Sequence, residues 1–397
     1  MRQLSPKLLS WASVLDEQTR AQATTTSTLD IVQPHLALMP DAHLGKGATV
    51  GSVIPTDGAV IPAAVGVDIG CGMRAVRTQF TAEDLRQRAQ TKPMADLRVS
   101  IERSIPLSAF RHNKQVEETA LPRIAELEEL AGDLLPTIEE RSGGWRKQLG
   151  SLGSGNHFIE VTLDEQDRVW LFLHSGSRGV GNRIAMHHIK IAGQLATEAG
   201  IDLPDPDLAY LSEGTDEFDA YLAELTWAQR FAALNRDEMM ERVVAQLAWW
   251  IDESVEIAED INCHHNYTAR ETHLVDGVER SLWVSRKGAI NAAAGVPGLI
   301  PGSMGTASYV VVGKGNVESL HSAPHGAGRQ YSRTKARKAF TVDDLRTAMV
   351  GIEYRDTDAF IDEIPAAYKD IDQVMADAAD LVEVRHTLHQ VVNVKGD

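Results

Sequence analysis

Short apolar runs follow one another along the first part of the chain. Between His35 and Arg77 the runs HLALMP, ATVGSVIP, AVIPAAVGV and MRAVRTQF are separated by glycine and proline, a pattern that predicts short β-strands. Another strand is predicted from Val169 to His174, where Trp170, Phe172 and His174 share one face by alternation. The last apolar segment, LVEVRHTLHQVVNVKGD, predicts a closing strand.

Capping signals and helical spacing predict the remaining elements. Thr81 is expected to cap a helix that ends near Gln90, because Glu83 and Asp84 occupy its first turn. Further helices are predicted over 6–23, over the Glu-rich stretch 115–140, from about residue 182, and over 218–260. The predicted core residues of the last helix are Trp227, Phe231, Leu234 and Met239. No linker, repeat or low-complexity run divides the chain, so we expect one large domain over residues 1–397.

Composition narrows the class of protein. There are 39 Lys and Arg against 56 Asp and Glu, a formal charge of −17, which argues against a surface coated with positive charge for bulk nucleic-acid binding. The two cysteines, Cys71 and Cys263, are too few for a disulfide framework, so a reducing cytoplasm is expected. No apolar run predicts a membrane span. The stretch from Ser319 to Thr341 has no acidic residue and predicts a local anion-binding surface.

The stretch Gly66–Met73 (GVDIGCGM) sets Asp68 and Cys71 three residues apart among glycines. Glycine permits a turn tight enough to aim both side chains at one point. Alone, this stretch is also consistent with a buried strand that carries an inert cysteine and a capping aspartate. Five histidines in similar turns or at strand ends change that balance: His43, His157, His174, His265 and His325. Mixed carboxylate, imidazole and thiolate ligands suit a transition metal, and two metals could share Cys71.

Four glycine-rich loops, GSGN, SGSRG, RKGA and HGAGR, combine backbone N–H groups with Asn, Ser, Arg or Lys. Such loops bind phosphate, although each one alone could be a plain turn. No Walker A string occurs. Several phosphate-type loops together with a soft metal site indicate phosphoryl or nucleotidyl transfer. The residues leave the donor, the acceptor and the nucleophile open.

Nine strings, in this order from residue 40 to residue 396, resemble the RtcB family of 3′-phosphate RNA-splicing ligases: PDAHLGKG, GVDIGCGM, GNHFIE, HSGSRGVGN, CHHNY, RKGA, PGSMGTAS, HGAGR and VKG. The resemblance implies an α+β fold, a single domain of mixed β-sheets surrounded by helices. It implies a ligase that joins an RNA 2′,3′-cyclic phosphate or 3′-phosphate end to a 5′-hydroxyl end in tRNA splicing or RNA repair. GTP and two Mn²⁺ ions are the implied cofactors.

The resemblance also implies roles for individual residues. The implied metal ligands are Asp68, Cys71, His157, His174 and His265, with Cys71 bridging the two ions. We take His265 as the ligand in preference to the adjacent His264, and His325 as the histidine that becomes guanylylated. The implied guanylate-binding residues are Asn156, Phe158, Glu160, Ser303, Ser308, Gly326, Ala327, Gly328, Arg329 and Lys395. The residues implied at the RNA-end phosphate are Arg178 and Lys287.

Two features depart from the family pattern. HSAPHGAGR lacks a nearby cysteine, and the segment between Cys71 and Asn156 is short. The second departure leaves the preferred RNA, tRNA or damaged RNA, open, together with the need for an activating protein partner and the oligomeric state. Two other functions also remain open: a metal-dependent phosphodiesterase or cyclic-phosphate hydrolase, and an RNA-end binding factor without catalysis.

Overall fold

The computed structural model describes residues Met1–Asp397 and has the expected α+β architecture, with mixed sheets and twelve α-helices. The strands are β1 (Arg2–Ser5), β2 (Leu8–Ser10), β3 (Leu36–His43), β4 (Val50–Thr56), β5 (Ala59–Val60), β6 (Gly72–Thr81), β7 (Phe158–Leu163), β8 (Arg168–Ser175), β9 (Leu211–Ser212), β10 (Ile257–His264), β11 (Asn266–Val275), β12 (Val278–Lys287), β13 (Ala289–Asn291), β14 (Pro297–Ile300), β15 (Ser308–Gly313), β16 (Ser322–Pro324) and β17 (Val382–Lys395).

The α-helices are α1 (Glu17–Ser27), α2 (Pro62–Val65), α3 (Ala82–Ala89), α4 (Met94–Ser104), α5 (Leu121–Ala131), α6 (Leu135–Ser142), α7 (Trp145–Gln148), α8 (Arg178–Glu198), α9 (Asp216–Ile251), α10 (Arg333–Ala339), α11 (Val342–Ala348) and α12 (Ile371–Asp377). Short 3₁₀ helices occur at Glu118–Ala120, Gly132–Leu134, Pro206–Leu208, Asp358–Glu363 and Pro365–Ala367. None of these helices combines the length and the apolarity that a membrane crossing requires.

Two large sheets form the centre of the fold. One has six strands in the order β1-β2-β3-β4-β12-β11, and the other has seven in the order β10-β6-β8-β7-β17-β15-β14. Neighbouring strands are antiparallel except for β2 and β3. The largest core cluster joins residues from both ends of the chain, such as Leu9 and Leu388, which favours the single domain predicted from the sequence.

Strand register brings the motif-bearing strand ends together. In the seven-stranded sheet β6 begins beside the ends of β8 and β10, and β7 begins beside the end of β8. In the other sheet β11 begins opposite the end of β12. His265 is the one residue between β10 and β11, so it lies where the chain passes from one sheet to the other. Residues distant in sequence therefore meet at one junction.

The 36-residue helix α9 supports this junction from one side. Its N-terminal half packs Trp227 and Phe231 against α5 and α8, and its C-terminal half packs Met239 against strands of the seven-stranded sheet. The four residues predicted as its core, Leu234 among them, are all buried, which confirms that prediction.

The boundaries of several elements differ from the sequence predictions. The helix predicted over 6–23 is wrong at its start: Leu8 and Leu9 pair with β3, and α1 begins only after its cap, Asp16. Helix α8 begins at Arg178, four residues before the predicted start. The helix predicted over 218–260 ends at Ile251, after which the chain turns through Asp252 (φ 68°) into β10. By contrast, the capping box of Thr81 and Asp84 confirms the predicted start of α3.

Candidate active site

The turn between α2 and β6 carries Asp68 and Cys71. Gly66 (φ 92°) and Gly70 (φ 68°) take positive φ values that glycine adopts with little steric cost. Gly70 is also in close contact with α9, because a Cβ at this position would lie 2.9 Å from the Cα of Gln229. Both the positive φ and the lack of room for a Cβ therefore require glycine at position 70, and the turn packs directly on α9.

Two groups of potential metal ligands share Cys71. The Sγ of Cys71 lies 3.3 Å from Nε2 of His174, which lies 2.9 Å from Nε2 of His265. Sγ also lies 3.4 Å from Nε2 of His157, and this Nε2 lies 3.1 Å from Oδ2 of Asp68. In each group the ligand atoms all lie within 4.8 Å of one another. Each group could hold a metal ion, and the sulfur of Cys71 is common to both.

The three imidazoles are held through Nδ1, which leaves Nε2 directed at the cluster. Their Nδ1 contacts are the carbonyl oxygen of Leu152 for His157 (2.9 Å), the carbonyl oxygen of Asn156 for His174 (3.1 Å) and Oδ1 of Asn266 for His265 (3.2 Å). An oxygen that accepts the Nδ1 proton fixes the tautomer in which Nε2 carries a free lone pair. Burial lowers the pKa of His174 and of His265 well below the ordinary value, so both rings stay neutral.

The thiol of Cys71 would be stabilised in its ionised form by a cation. Burial and the neighbouring carboxylate of Asp68 raise the pKa of Cys71 well above its ordinary value. A metal ion at the sulfur would reverse that shift, because it replaces the proton. One thiolate, three imidazoles and one carboxylate form a mixed set that fits a transition metal better than Ca²⁺ or Mg²⁺.

His264 is directed away from the cluster. Its Nδ1 lies 2.9 Å from the carbonyl oxygen of Gly70 and 3.1 Å from Nη2 of Arg236, a fully buried guanidinium. Arg236 also donates to the carbonyl oxygens of Gly70 and Ser175, so it ties the ends of two loops together. His265, and not His264, therefore meets the other ligand residues.

His325 lies beside the cluster and is oriented by Asp41. The ring centroids of His325 and His265 are 4.6 Å apart. Nδ1 of His325 lies 2.6 Å from Oδ2 of the fully buried Asp41, as an ion-pair contact. The same oxygen accepts hydrogen bonds from the backbone N–H groups of His325 and Gly326. A carboxylate at Nδ1 leaves Nε2 as the free, nucleophilic nitrogen. Asp41 was absent from the predicted site residues, although its string PDAHLGKG was among the nine.

A cavity of about 380 Å³ opens at the cluster. Of the predicted site residues, it is lined by Asp68, Cys71, Asn156, Phe158, His174, His265, Lys287, Ser303, His325, Gly326, Ala327, Gly328, Arg329 and Lys395. His157 lies behind Cys71 and is buried. Tyr368 and Glu363 also line the cavity, and neither was predicted; the first donates to the second.

Glu160 and Ser308 lie behind the cavity wall, each about 1% exposed. Glu160 accepts hydrogen bonds from Nδ2 of Asn393 (2.7 Å) and Nε2 of Gln390 (3.4 Å). Burial raises the pKa of Glu160 to about 8, although these hydrogen bonds and Lys395 oppose the shift. The hydroxyl of Ser308 has no hydrogen-bond partner.

The predicted RNA-end residues differ in their access to the cavity. The ammonium of Lys287 lines it and donates to the carbonyl oxygens of Lys46 and Ala63, and burial lowers the pKa of Lys287 to about 8. Arg178 lies outside the lining, where its Nε donates to Oγ of Ser151. Burial lowers the pKa of Arg178, and the nearby Asp68 and Cys71 oppose that shift.

The predicted anion-binding surface at 319–341 is partly compensated by acidic residues from another segment. Arg329 and Arg333 pair with Glu363, and Arg333 and Arg337 pair with Asp362. Lys335 and Lys338, at the surface of α10, are exposed. Sequence inspection could not reveal this compensation, because both carboxylates come from a later 3₁₀ helix.

A profile of the family described as tRNA-splicing ligase RtcB matches residues 22–396, nearly the whole chain. The chain belongs to the RtcB family. It is 48% identical to the RNA-splicing ligase RtcB of Escherichia coli K12, over 96% of this chain and 95% of that protein. The tRNA-splicing ligase RtcB of Nanoarchaeum equitans is 30% identical over 91% of this chain and 87% of its own. RtcB of Mycobacterium tuberculosis is 32% identical over 89% and 94%.

The match to the RtcB family confirms the resemblance inferred from the nine strings. It spans both ligand groups, Asp41, His325 and the strand β17 that carries Lys395. The cavity, the shared cysteine and the oriented histidine are therefore features of an RtcB chain.

Proposed function

We propose that this protein is an RNA ligase that joins a 2′,3′-cyclic phosphate or 3′-phosphate end to a 5′-hydroxyl end, with GTP as the source of activation. The names of its relatives, RNA-splicing and tRNA-splicing ligase, support the ligase class. One observation carries the mechanism: His325 contacts Asp41 through Nδ1 and lies 4.6 Å, ring to ring, from the potential metal ligand His265. A nucleophile beside a cation site is the arrangement that nucleotidyl transfer needs.

His325 is the proposed guanylate acceptor. Its Nε2 attacks the α-phosphorus of GTP, a phosphoramidate bond forms, and pyrophosphate leaves with the electrons of the broken P–O bond. A 3′-phosphate oxygen then displaces the imidazole, so that GMP becomes joined to the RNA end through an anhydride. The 5′-hydroxyl attacks the RNA phosphorus, loses its proton and expels GMP. A cyclic phosphate must first be opened by water to a 3′-phosphate.

Two Mn²⁺ ions are the proposed metals. Cys71, His174 and His265 would hold one, and Asp68, Cys71 and His157 the other, in keeping with the chemistry of the two ligand groups. Bound there, divalent ions neutralise phosphate charge and orient the triphosphate.

Guanine selection is proposed to depend on Glu160. In its ionised form the carboxylate can accept from both the N1–H and the exocyclic amine of guanine, groups that adenine does not offer in that arrangement. These two donors would favour the ionised form over the neutral form that burial favours. Asn393 and Gln390 donate to this carboxyl and support its orientation. The other proposed guanylate contacts are Asn156, Phe158, Ser303, Ser308, residues 326–329 and Lys395. Lys287 and Arg178 are proposed to attract the RNA-end phosphate, and a partner protein that activates the enzyme stays an open proposal.

Labelling with GTP that carries ³²P at its α-phosphate tests the proposal. The wild-type protein should retain label in the presence of Mn²⁺ and before RNA is added, in a bond that acid breaks and alkali leaves intact. His325→Ala should abolish labelling and the joining of 3′-phosphate ends, and it should still seal an RNA supplied with a pre-formed 3′ guanylate. The matched control is His389→Ala, at an exposed histidine of β17.

Three results separate the possible functions. Label that persists in His325→Ala shows another nucleophile, and Lys287 is the next candidate. Hydrolysis of cyclic phosphate ends without any label on the wild-type protein indicates the phosphodiesterase. RNA-end binding without either reaction indicates a binding factor.

A further inference from the structure

The loop that follows α4 presents an exposed aromatic side chain close to the candidate active site. Phe110 is 92% exposed, the highest value among the large hydrophobic residues of the chain. Its φ of 61° lies in the left-handed region, which is a genuine outlier for a bulky side chain. Exposure and backbone strain both oppose folding, and such features persist in proteins mainly where they serve a function.

Hydrogen bonds attach both ends of the loop to the rest of the protein, and these bonds hold its tip in position. The N–H of Ser108 donates to the carbonyl oxygen of Gly153 (2.8 Å). At the other end the buried Asn113 donates to the carbonyl oxygen of Leu149 (2.7 Å) and accepts from Arg242 (2.9 Å). Residues 109–112, between these anchors, are all exposed.

The N-terminal anchor touches segments that build the site. Gly153 lies three residues before the cavity residue Asn156. The carbonyl oxygen of Ser108 accepts from Nη2 of Arg178 (3.4 Å), and its hydroxyl accepts the N–H of Asp397 (3.1 Å), two residues beyond the cavity residue Lys395. The base of the loop is therefore attached to segments that build the cavity and to Arg178, one of the proposed RNA-end residues.

The charged side chains of the loop itself are all basic, which favours a polyanion, while the carboxylate of Asp397 accepts from the hydroxyl of Ser108 at the base of the loop. Residues 103–116 (RSIPLSAFRHNKQV) contain no acidic residue, in a chain whose formal charge is −17. Arg111 and Lys114 are exposed, and neither takes part in an ion pair. His112 lies near Arg178 and Arg183. Partial desolvation and these two cations lower its pKa, so at neutral pH it is an uncharged ring.

We propose that the tip of this loop, residues 109–112, together with Lys114, is a subsite for single-stranded RNA next to the end being joined. Phe110 stacks on a nucleobase, while Arg111 and Lys114 contact backbone phosphates. An aromatic platform beside basic side chains is the usual design for binding single strands without sequence preference, because every base has a π face. This inference rests on the proposed function, since it takes RNA as the substrate.

Fluorescence anisotropy with a labelled ten-nucleotide single-stranded RNA that ends in a 3′-phosphate tests the subsite. Phe110→Ala should raise Kd roughly 5- to 150-fold, the range of one lost base–aromatic stack, and Phe110→Trp should restore affinity. Replacing both Arg111 and Lys114 by Gln should reduce the slope of log K against log salt by about 1.4, or 0.7 for each phosphate contact. The control Leu274→Ala, at an exposed residue of the β11–β12 hairpin, should bind like wild type.

Two further measurements separate binding from folding and from catalysis. Phe110→Gly removes both the ring and the strain, so its Tm should not be lower than that of wild type while its RNA affinity falls. Uptake of label from GTP needs no RNA and should be unchanged in every loop variant. Wild-type RNA affinity in Phe110→Ala, or failure of Trp to rescue, overturns the subsite and leaves the loop as a surface for a protein partner. Absence of labelling in the wild-type protein instead counts against the proposed ligase.

Discussion

Cys71 is the residue on which both ligand groups depend, because its sulfur is the one atom common to them. Loss of a side chain that serves a single group leaves the other group complete. Loss of the shared sulfur leaves each group with two ligands and removes the only soft ligand from both.

Substitution of Cys71 should therefore be more damaging than substitution of a histidine in one group. We expect Cys71→Ala to lose both Mn²⁺ ions, and His174→Ala to keep about one ion per chain, with a smaller loss of ligation. Metal analysis after gel filtration, together with ligation rates, measures this. Metal content and ligation near wild type in Cys71→Ala would show that the sulfur does not bridge.

Glu160 should make the stability of the protein depend on pH. Its pKa rises from 4.5 in the unfolded chain to about 8 in the folded protein, so the folded state holds the proton more tightly. The stabilisation from this group is complete below pH 4.5 and is lost as the pH rises through 8. Relative to Glu160→Gln, which cannot titrate, wild type should lose up to about 1.4 kcal/mol of unfolding free energy per pH unit in that window. Urea denaturation of both proteins at pH 5.5 and pH 8 measures the difference, and parallel pH profiles would exclude the shift.

At the scale of elements, the position of the ligand turn depends on its contact with α9. Gly70 has a positive φ, and a Cβ added there would lie 2.9 Å from the Cα of Gln229. Gly58 has a similar φ of 64°, but nothing lies within 4 Å of an added Cβ. An alanine at position 58 would be strained only by its backbone conformation, whereas an alanine at position 70 would also collide with α9.

Alanine at the two positions should therefore have different effects. Gly58→Ala should lower the free energy of unfolding by about 1–2 kcal/mol through conformation alone. Gly70→Ala should lower it by about 2–4 kcal/mol, because the turn or the helix must also move. Denaturant titration gives the two values, and metal content shows whether the turn has shifted. Equal decreases in the free energy of unfolding would mean that the turn and α9 can move apart at no energetic cost.

The sequence predicts an element correctly when residues close in the chain determine it, and fails when the determining residues are distant. The start of α3 and the strand β8 follow from signals within a few residues, a capping box and an alternating apolar run. The segment Leu8–Ser10 could not be predicted in this way, because it lies as a strand between β1 and β3, and its partner in β3 is some 28 residues further on. Helix α9 ends at Ile251, and the chain after it pairs with β6 from Ile257 onward, a partner far back in the sequence.

At the scale of the whole molecule, the sequence likewise reveals the residues of the candidate site but not the contacts between distant segments. The strings that carry Asp68, Cys71 and the histidines could be found by residue type, and the structure gathers these residues as expected. The role of Asp41 could not be found from the sequence, because its partner His325 is 284 residues away. The pairing of Arg329 and Arg333 with Glu363 could not be predicted either, because it depends on how a 3₁₀ helix packs against the loop after β16.

The position of β17 has a consequence for how the protein is made. This strand lies between β7 and β15 inside the seven-stranded sheet, yet it follows every other strand in chain order. During translation, β7 and β15 must wait with exposed edges until the residues up to Lys395 have left the ribosome. Open edges of this kind invite pairing with other chains. The nascent protein is therefore open to such pairing from the synthesis of β7 until β17 is complete, and a product truncated before β17 would keep both edges unpaired.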